Sequence, residues 1–160
     1  MIEQTPPLDL PTGDRGQFTL DPMASPTLPS RYYTDPDIYR AEMRQIHRKS
    51  WCYVGHVCDV AQPGMYFTDV VGEQPVLVVK GQDGAIRAFY NVCQHRGHEL
   101  LKGAGKLKTK AMACPYHAWL YRLDGTLAAA PMTEHLKNFD KSQYGLKEIA
   151  IGVAAGVIWG

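Results

Sequence analysis

Two short segments of this 160-residue chain each bring one cysteine and one histidine together. The first contains Cys93 and His95, the second contains Cys114 and His117, and eighteen residues separate His95 from Cys114. Thiolate and imidazole are ligands that proteins offer to iron–sulfur clusters and to zinc. A flat [2Fe–2S] cluster has an iron at each end, and each iron needs two protein ligands. Two mixed segments can give one iron both thiolates and the other iron both imidazoles, so these four residues are the predicted metal ligands.

A structural zinc ion is the alternative, because zinc accepts two Cys and two His ligands. Zinc fingers usually take two thiolates from one turn and two imidazoles from one helix, whereas each segment here is mixed. The residues around both segments also have the composition of strands and turns. We therefore favour the [2Fe–2S] cluster and keep a zinc-stabilised structural module as an alternative.

The sequence around the two pairs resembles the cluster loops of the large (alpha) subunits of Rieske non-haem iron oxygenases. The loops of that family read approximately C-x-H-R-[GA] and C-P-Y-H-[GA]-W. This chain has NVCQHRG over residues 91–97 and CPYHAW over residues 114–119. Respiratory Rieske proteins differ, since they carry an additional Cys in each loop, at the positions of His98 and Tyr116. The resemblance covers the chain from about residue 31 to residue 160.

Other residues in and beside the two loops are expected to surround the cluster. They are Arg96, Gly97, Tyr116, Trp119 and Tyr121. Gly97 can adopt a positive φ at low cost and Trp119 is expected to form an apolar lid. The Tyr121 phenol is placed to reach a cluster thiolate, while Trp119 replaces a hydrogen-bonding Ser of respiratory proteins. Because the Tyr121 donor is kept and the Ser donor is absent, we expect a cluster reduction potential toward the low end of the roughly −150 to +300 mV Rieske range.

The resemblance implies electron transfer as the N-terminal part of an oxygenase that uses O₂ to hydroxylate or demethylate a small organic substrate. In that family a C-terminal domain binds a mononuclear Fe(II) through two His and one carboxylate. The remaining histidines here show no such pairing, so we expect the Fe(II) site in a missing C-terminal domain and assign no catalytic residue. The parent enzyme would be a mono- or dioxygenase. Aromatic ring hydroxylation and oxidative demethylation both occur in the family, and the stretch from Cys93 to Leu101 is similar to members acting on methylated or quaternary amines.

The resemblance also implies partners: a ferredoxin or flavin reductase as electron donor, and a homotrimer or hetero-oligomer in the intact oxygenase. A free-standing Rieske ferredoxin is the alternative, although the segments outside the cluster region argue against it. Five basic residues near the first loop form either a solvated face or a docking patch for an acidic donor. They are Arg96, Lys102, Lys106, Lys108 and Lys110. The last three alternate along a predicted strand and would share one face.

Composition is that of a globular domain, with 45% hydrophobic and 21% charged residues. The net charge of +1 gives no case for nucleic-acid binding. The longest apolar run, over residues 149–159, is too short to cross a bilayer, and the N-terminus lacks an export signal. We therefore expect a cytoplasmic protein that binds no membrane.

The elements that must position the ligands are mostly strands. Residues 1–30 are Pro-rich without apolar periodicity and predict an extended arm, followed by a domain over residues 31–160. A helix is predicted from Pro36 to about Lys49, with Ile38, Met43 and Ile46 on its packed side. Strands are predicted over residues 51–57, 65–71, 75–80, 85–91, 106–113 and 146–159, with a hairpin at Asp124-Gly125. The expected fold is all-β with one short N-terminal helix, and the resemblance implies a Rieske-type antiparallel β-sandwich with a two-loop cluster-binding subdomain.

Overall fold

The structure, a computed structural model, describes residues 20–25, 27–133 and 135–160. Most of the predicted Pro-rich arm over residues 1–30 therefore lies outside the described residues. The chain divides into two compact units, residues 1–50 and residues 51–160. The domain boundary predicted at residue 31 stays a prediction.

The first unit contains short helices. They are α1 (Arg31–Thr34), α2 (Pro36–Gln45) and a 3₁₀ helix (His47–Lys49). The Asp35 side chain accepts a hydrogen bond from the Asp37 N–H at 2.8 Å, and Pro36 occupies the first turn of α2. Both features favour a helix start, so the N-terminus of the predicted helix is confirmed.

The α-helix ends earlier than predicted. Ile38 and Met43 are buried as expected, but Ile46 is 53% exposed. The Ile46 N–H donates the last i to i−4 hydrogen bond of α2, to the Glu42 carbonyl at 2.8 Å, and Ile46 is the C-cap of the helix. The tighter 3₁₀ helix that follows begins at His47, so the α-helical periodicity that predicted a buried Ile46 ends at this residue.

The described residues of the second unit form eleven strands and two 3₁₀ helices. The strands are β1 (Tyr53–His56), β2 (Met65–Val71), β3 (Gln74–Lys80), β4 (Ile86–Tyr90), β5 (Ala104–Lys106), β6 (Ala111–Ala113), β7 (Leu120–Arg122), β8 (Leu127–Ala129), β9 (Glu148–Ile149), β10 (Gly152–Ala154) and β11 (Val157–Trp159). The 3₁₀ helices are Val57–Val60 and Lys141–Tyr144. All pairings are antiparallel, in three sheets ordered β1-β11-β10, β5-β2-β3-β4-β9 and β6-β7-β8. The all-β prediction is therefore confirmed.

The five-stranded sheet lies between two hydrophobic cores. On β3, Val76 and Val78 pack in one core while Leu77 and Val79 pack in the other. The alternation of side chains along a strand explains this division, and it explains why β3 is a continuous apolar run. One core includes Val54 and Ile158 of the β1-β11-β10 sheet. The other includes residues of the β6-β7-β8 sheet and both cysteines of the Cys–His pairs.

The strand predicted over residues 106–113 is wrong. Lys106 ends β5 in the five-stranded sheet, whereas Ala111 begins β6 in a different sheet. The intervening residues cross between the two sheets. Lys108 and Lys110 therefore do not share a strand face with Lys106.

The long strand predicted at the C-terminal end is also interrupted. It is divided into β9, β10 and β11, and Ala155 and Gly156 connect the last two with φ angles of +51° and +80°. Two consecutive positive φ angles are typical of a tight two-residue hairpin turn. The short apolar run thus folds back on itself as a β-hairpin.

Candidate metal centre

Each Cys–His pair lies in a short loop with the same backbone hydrogen bonds. In the first loop the Cys93 N–H donates to the His98 carbonyl at 2.8 Å and the Gly97 N–H donates to the Cys93 carbonyl at 2.9 Å. In the second, the Cys114 N–H donates to the Trp119 carbonyl at 2.8 Å and the Ala118 N–H to the Cys114 carbonyl at 3.0 Å. The first loop follows β4, and the second connects β6 to β7.

Both loops place a residue with positive φ four positions after the cysteine. The φ angle is +70° at Gly97 and +55° at Ala118. Glycine adopts this conformation without steric cost, whereas alanine does not. The loop geometry is therefore set by the backbone in both cases, and the second loop carries strain at Ala118.

The loops bring the four predicted ligands together as two pairs. Cys93 and Cys114 are buried, neither is in a disulfide, and their thiols are neighbours. The ring centroids of His95 and His117 lie 4.6 Å apart. The Nδ1 atom of His117 is buried and has no hydrogen-bond partner among the described residues. A buried ring nitrogen without a partner is costly unless it binds something else, and a metal ion is such a partner.

The arrangement suits a binuclear cluster better than a single ion. Over residues 20–25, 27–133 and 135–160, no three His, Cys, Asp or Glu side chains are grouped so that they could hold one metal ion. A structural zinc site requires four ligands around one ion. The pairing of thiol with thiol and of imidazole with imidazole instead matches the two ends of a [2Fe–2S] cluster.

Tyr121 connects the first loop to β7. Its hydroxyl lies 3.3 Å from the Cys93 Sγ atom and accepts a hydrogen bond from the Gln94 N–H at 3.1 Å. Because the hydroxyl accepts from Gln94, its own proton is available to the sulfur. Burial raises the pKa of Tyr121 well above its usual range, so the phenol stays protonated as a donor.

In the metal-free protein, burial favours the neutral forms of the Cys93 thiol and the His95 imidazole. Burial raises the pKa of the Cys93 thiol, the Tyr121 hydroxyl lowers it, and the adjacent Cys114 thiol raises it again. Burial lowers the pKa of His95, as do the positive charges of His117 and Arg96. Neutral imidazole is the form that binds metal, and a bound metal cation stabilises thiolates that burial alone would not.

The other predicted cluster neighbours occupy different surroundings. Trp119 is buried and stacks on the His95 ring with a centroid distance of 4.9 Å and an interplanar angle of 10°. Tyr116 is 55% exposed, with its ring centroid 3.8 Å from that of His117. Arg96 and Gly97 are exposed on the first loop.

Lys106, Lys108 and Lys110 do not share the single strand face predicted from the sequence, because only Lys106 lies in a strand. Lys102 forms an ion pair with Glu99 at 3.4 Å, and the Lys106 ammonium donates to the Gln62 side chain at 2.8 Å. Lys110 lines a cavity of about 390 Å³ at the end of the β6–β7 hairpin that is opposite the second loop. The division of the predicted strand between two sheets explains this dispersal.

Asn91 is a site residue for which the sequence analysis assigned no role. Its side chain is buried and makes four hydrogen bonds to residues 99–101. Its Oδ1 atom accepts from the N–H groups of Leu100 and Leu101, both at 3.2 Å, and its Nδ2 atom donates to the Leu101 carbonyl at 2.8 Å. Asn91 thereby joins the two ends of the first loop. A polar residue two positions before Cys93, at the end of a buried strand, was the available signal.

The family model for the Rieske [2Fe-2S] domain matches residues 50–140, which is more than half of the chain. The chain belongs to the Rieske [2Fe–2S] domain family. A domain of this family binds a [2Fe–2S] cluster.

Several proteins of known function are similar to this chain. The carnitine monooxygenase oxygenase subunit of Acinetobacter baumannii is 40% identical over 142 residues, covering 89% of this chain and 38% of that protein. The glycine betaine monooxygenase oxygenase subunit of Chromohalobacter salexigens is 41% identical over 133 residues, covering 83% of this chain and 29% of that protein. The chain thus spans less than two fifths of the length of these curated relatives, at their N-terminal end.

Solved structures support the same assignment. The quaternary ammonium Rieske monooxygenase CntA in complex with L-carnitine has a TM-score of 0.78 at 40% identity, covering 82% of this chain and 37% of that chain. Naphthalene 1,2-dioxygenase with bound indole has a TM-score of 0.74 at 33% identity, covering 80% and 29%. In the part of the chain that the structure describes, no helix has the length and hydrophobicity to span a membrane.

Proposed function

We propose that this chain is the cluster-binding, electron-transferring part of an oxygenase that acts on a quaternary amine. Cys93 and Cys114 would hold one iron of a [2Fe–2S] cluster, and His95 and His117 the other. The observation that carries the proposal is the burial of two neighbouring thiols beside two imidazoles, one of which has a buried nitrogen without a partner.

When bound, such a cluster supplies one-electron transfer, and its histidine-bound iron is easier to reduce because neutral imidazoles replace thiolates. The residues of this chain determine the hydrogen bonding of the cluster and its exposure to water. Tyr121 donates to the Cys93 sulfur and stabilises additional negative charge there. Trp119 and the packed core exclude water from the buried thiols. The exposed edge of His95 gives the site contact with the surface.

The whole protein would contain a second, mononuclear iron site beyond this segment, as the family resemblance implies. A ferredoxin or flavin reductase would donate electrons, and an oligomer, a homotrimer or a hetero-oligomer, would form the working enzyme. We favour a quaternary amine substrate because proteins named for the oxidation of carnitine, glycine betaine and choline resemble this chain at 38–41% identity. The naphthalene dioxygenase structures are similar at lower identity.

The cluster assignment is tested on the purified chain. We expect equal amounts of iron and acid-labile sulfide, a visible absorption spectrum, and an EPR signal after reduction with dithionite. Cys114→Ser should remove the cluster, while Cys58→Ser should leave it unchanged because Cys58 is an exposed free cysteine. A colourless protein containing one zinc ion would contradict the proposal and support the zinc alternative.

The substrate assignment is tested on the full-length protein together with a reductase. Carnitine, glycine betaine, choline and naphthalene are supplied in turn, and O₂ consumption and oxidised products are measured by electrode and mass spectrometry. We expect turnover of at least one quaternary amine and none of naphthalene. Oxidation of naphthalene alone would contradict the amine assignment and leave the cluster assignment unaffected.

A further inference from the structure

The two predicted histidine ligands differ in what holds their rings. Metal-bound histidines are usually oriented by a hydrogen bond from the outer ring nitrogen. Among the described residues, no side chain or backbone group forms a hydrogen bond with the His95 ring, which lies on an exposed loop. The ring instead stacks nearly parallel on Trp119, at 4.9 Å and 10°. Stacking on Trp119 therefore orients the His95 ring, a role that a hydrogen bond usually has for metal-bound histidines.

Trp119 is itself held rigidly. It is buried, and its carbonyl accepts the hydrogen bond from the Cys114 N–H that closes the second loop. The rings of Phe139 and Tyr144 contact it edge-on, with centroid distances of 5.8 Å and 5.6 Å. These two rings stack on each other at 4.9 Å. We call Trp119, Phe139 and Tyr144 the aromatic bracket.

The outer part of the aromatic bracket comes from a segment far from the loops in sequence. Phe139 lies just before Asp140, whose carboxylate caps the first turn of the 3₁₀ helix Lys141–Tyr144, and Tyr144 is the last residue of that helix. That carboxylate accepts from the Ser142 N–H at 2.9 Å. The cap fixes the backbone between Phe139 and Tyr144, so the 3₁₀ helix sets the positions of these two rings in the aromatic bracket.

His117 has no comparable support. Its ring lies against Tyr116 at 3.8 Å with a tilt of 35°, and Tyr116 is 55% exposed. The His95 ring thus packs on the buried Trp119, whereas the His117 ring packs on the exposed Tyr116.

We propose that Trp119 is a positioning residue that sets the plane of the His95 ring at the cluster, and that Phe139 and Tyr144 hold Trp119 for this purpose. This inference rests on the proposed ligand set. The plane of an imidazole determines how its π-system overlaps with iron orbitals and where its outer nitrogen points. The aromatic bracket therefore makes a segment outside both loops a determinant of the electronic structure at the histidine-bound iron.

The test uses the reduced, cluster-loaded chain and measures the ¹⁴N couplings of the two histidines by pulsed EPR. Trp119→Leu should shift or broaden the couplings of one histidine and leave the other as in the unchanged protein. Phe139→Leu should give a smaller change in the same histidine. Tyr116→Leu should change the other histidine instead.

A matched control separates positioning from general stability. Phe89→Leu truncates a buried ring in the same core but outside the bracket, so it should lower the unfolding temperature without moving either set of couplings. Unchanged couplings in Trp119→Leu would overturn the inference. If Trp119→Leu does not take up a cluster, Phe139→Leu decides by the same criterion. Absence of any histidine coupling in the unchanged protein would overturn the ligand set, and this inference with it.

Discussion

Tyr121 shows how one side chain can connect a strand to a metal site. Its ring is fully buried and its hydroxyl contacts both the Cys93 sulfur and the Gln94 N–H. A donor fixed in this way needs no reorganisation when charge on the sulfur increases. The contact was expected from the resemblance to Rieske proteins, which places the Tyr121 phenol within reach of a cluster thiolate.

Replacing Tyr121 by Phe should lower the midpoint potential of the cluster. The hydrogen bond is stronger to the more negative, reduced state, and a difference of about 1 kcal/mol corresponds to about 40 mV for a one-electron couple. A redox titration followed by EPR measures the shift. Tyr53→Phe is the control, since Tyr53 is 61% exposed and should leave the potential unchanged. A potential that rises in Tyr121→Phe would contradict the assigned donor.

The paired positions Gly97 and Ala118 give a prediction on backbone strain. Ala118→Gly should raise the free energy of unfolding by about 0.5–1 kcal/mol, because glycine relieves the left-handed conformation but costs more entropy on folding. Gly97→Ala should lower it by about 1 kcal/mol, since nothing lies within 4 Å of the added Cβ and only the backbone cost remains. Urea denaturation of the two variants measures both changes. If both variants changed the free energy of unfolding in the same direction, the two loops would not share one backbone geometry.

At the scale of elements, the ends of β4 and the β7–β8 hairpin do most to place the site. β4 delivers Asn91, whose side chain binds the returning segment over residues 99–101 and closes the first loop. The hairpin at Asp124-Gly125 pairs β8 with β7, and the Asp124 carboxylate accepts from the Thr126 N–H at 2.9 Å.

Asn91→Leu should destabilise the protein by roughly 3 kcal/mol. The leucine has a similar volume, but it leaves the N–H groups of Leu100 and Leu101 without their buried acceptor, and each unsatisfied group costs about 1–3 kcal/mol. Denaturant unfolding gives the stability, and the rate of cluster bleaching reports on the loop. Asn138→Ala, an exposed asparagine, should change stability by less than about 0.5 kcal/mol.

Gly125 and Gly84 form a matched pair for the hairpin turns. Their φ angles are +85° and +82°, but a Cβ at Gly125 would lie 2.5 Å from the Phe89 ring, while one at Gly84 meets nothing within 4 Å. Gly84→Ala should cost about 1 kcal/mol from the backbone alone, and Gly125→Ala about 1–3 kcal/mol more from overpacking. Thermal unfolding ranks the two. Equal decreases in stability for Gly84→Ala and Gly125→Ala would mean that the contact with the Phe89 ring does not destabilise the protein.

The sequence predicted the elements whose determinants are local. The N-terminal helix start and the Asp124-Gly125 hairpin depend on neighbouring residue types and spacing, and these were predicted correctly. The split of residues 106–113 between two sheets depends on which distant strands each half meets. The hydrogen bonds of Asn91 and the contact of Trp119 with Phe139 and Tyr144 likewise join segments that only the folded chain brings together.

For the whole molecule, the five-stranded sheet separates the core beside the metal site from a second core. Leu77 and Val78 are adjacent on β3 and both are fully buried, yet they point into different cores. The metal site therefore depends directly on only one face of the central sheet.

Leu77→Ala and Val78→Ala should separate stability from cluster properties. Both create cavities, at a cost of about 2–5 kcal/mol for the leucine and less for the smaller valine. Only Leu77→Ala should accelerate cluster loss at a given fraction of unfolding, because Leu77 packs in the core that contains both cysteines. Stopped-flow absorbance with a chelator measures the loss. Equal acceleration at matched stability would contradict the division into two cores.

Burial of both cysteine thiols has a consequence for biogenesis. Cys93 and Cys114 are only 2% and 4% exposed, so an external scaffold that delivers iron and sulfide cannot touch them while the loops are closed. Maturation must therefore take place before the loops close or through their transient opening, and each thiol must lose a proton on insertion. Acidic conditions should slow reconstitution of the metal-free protein.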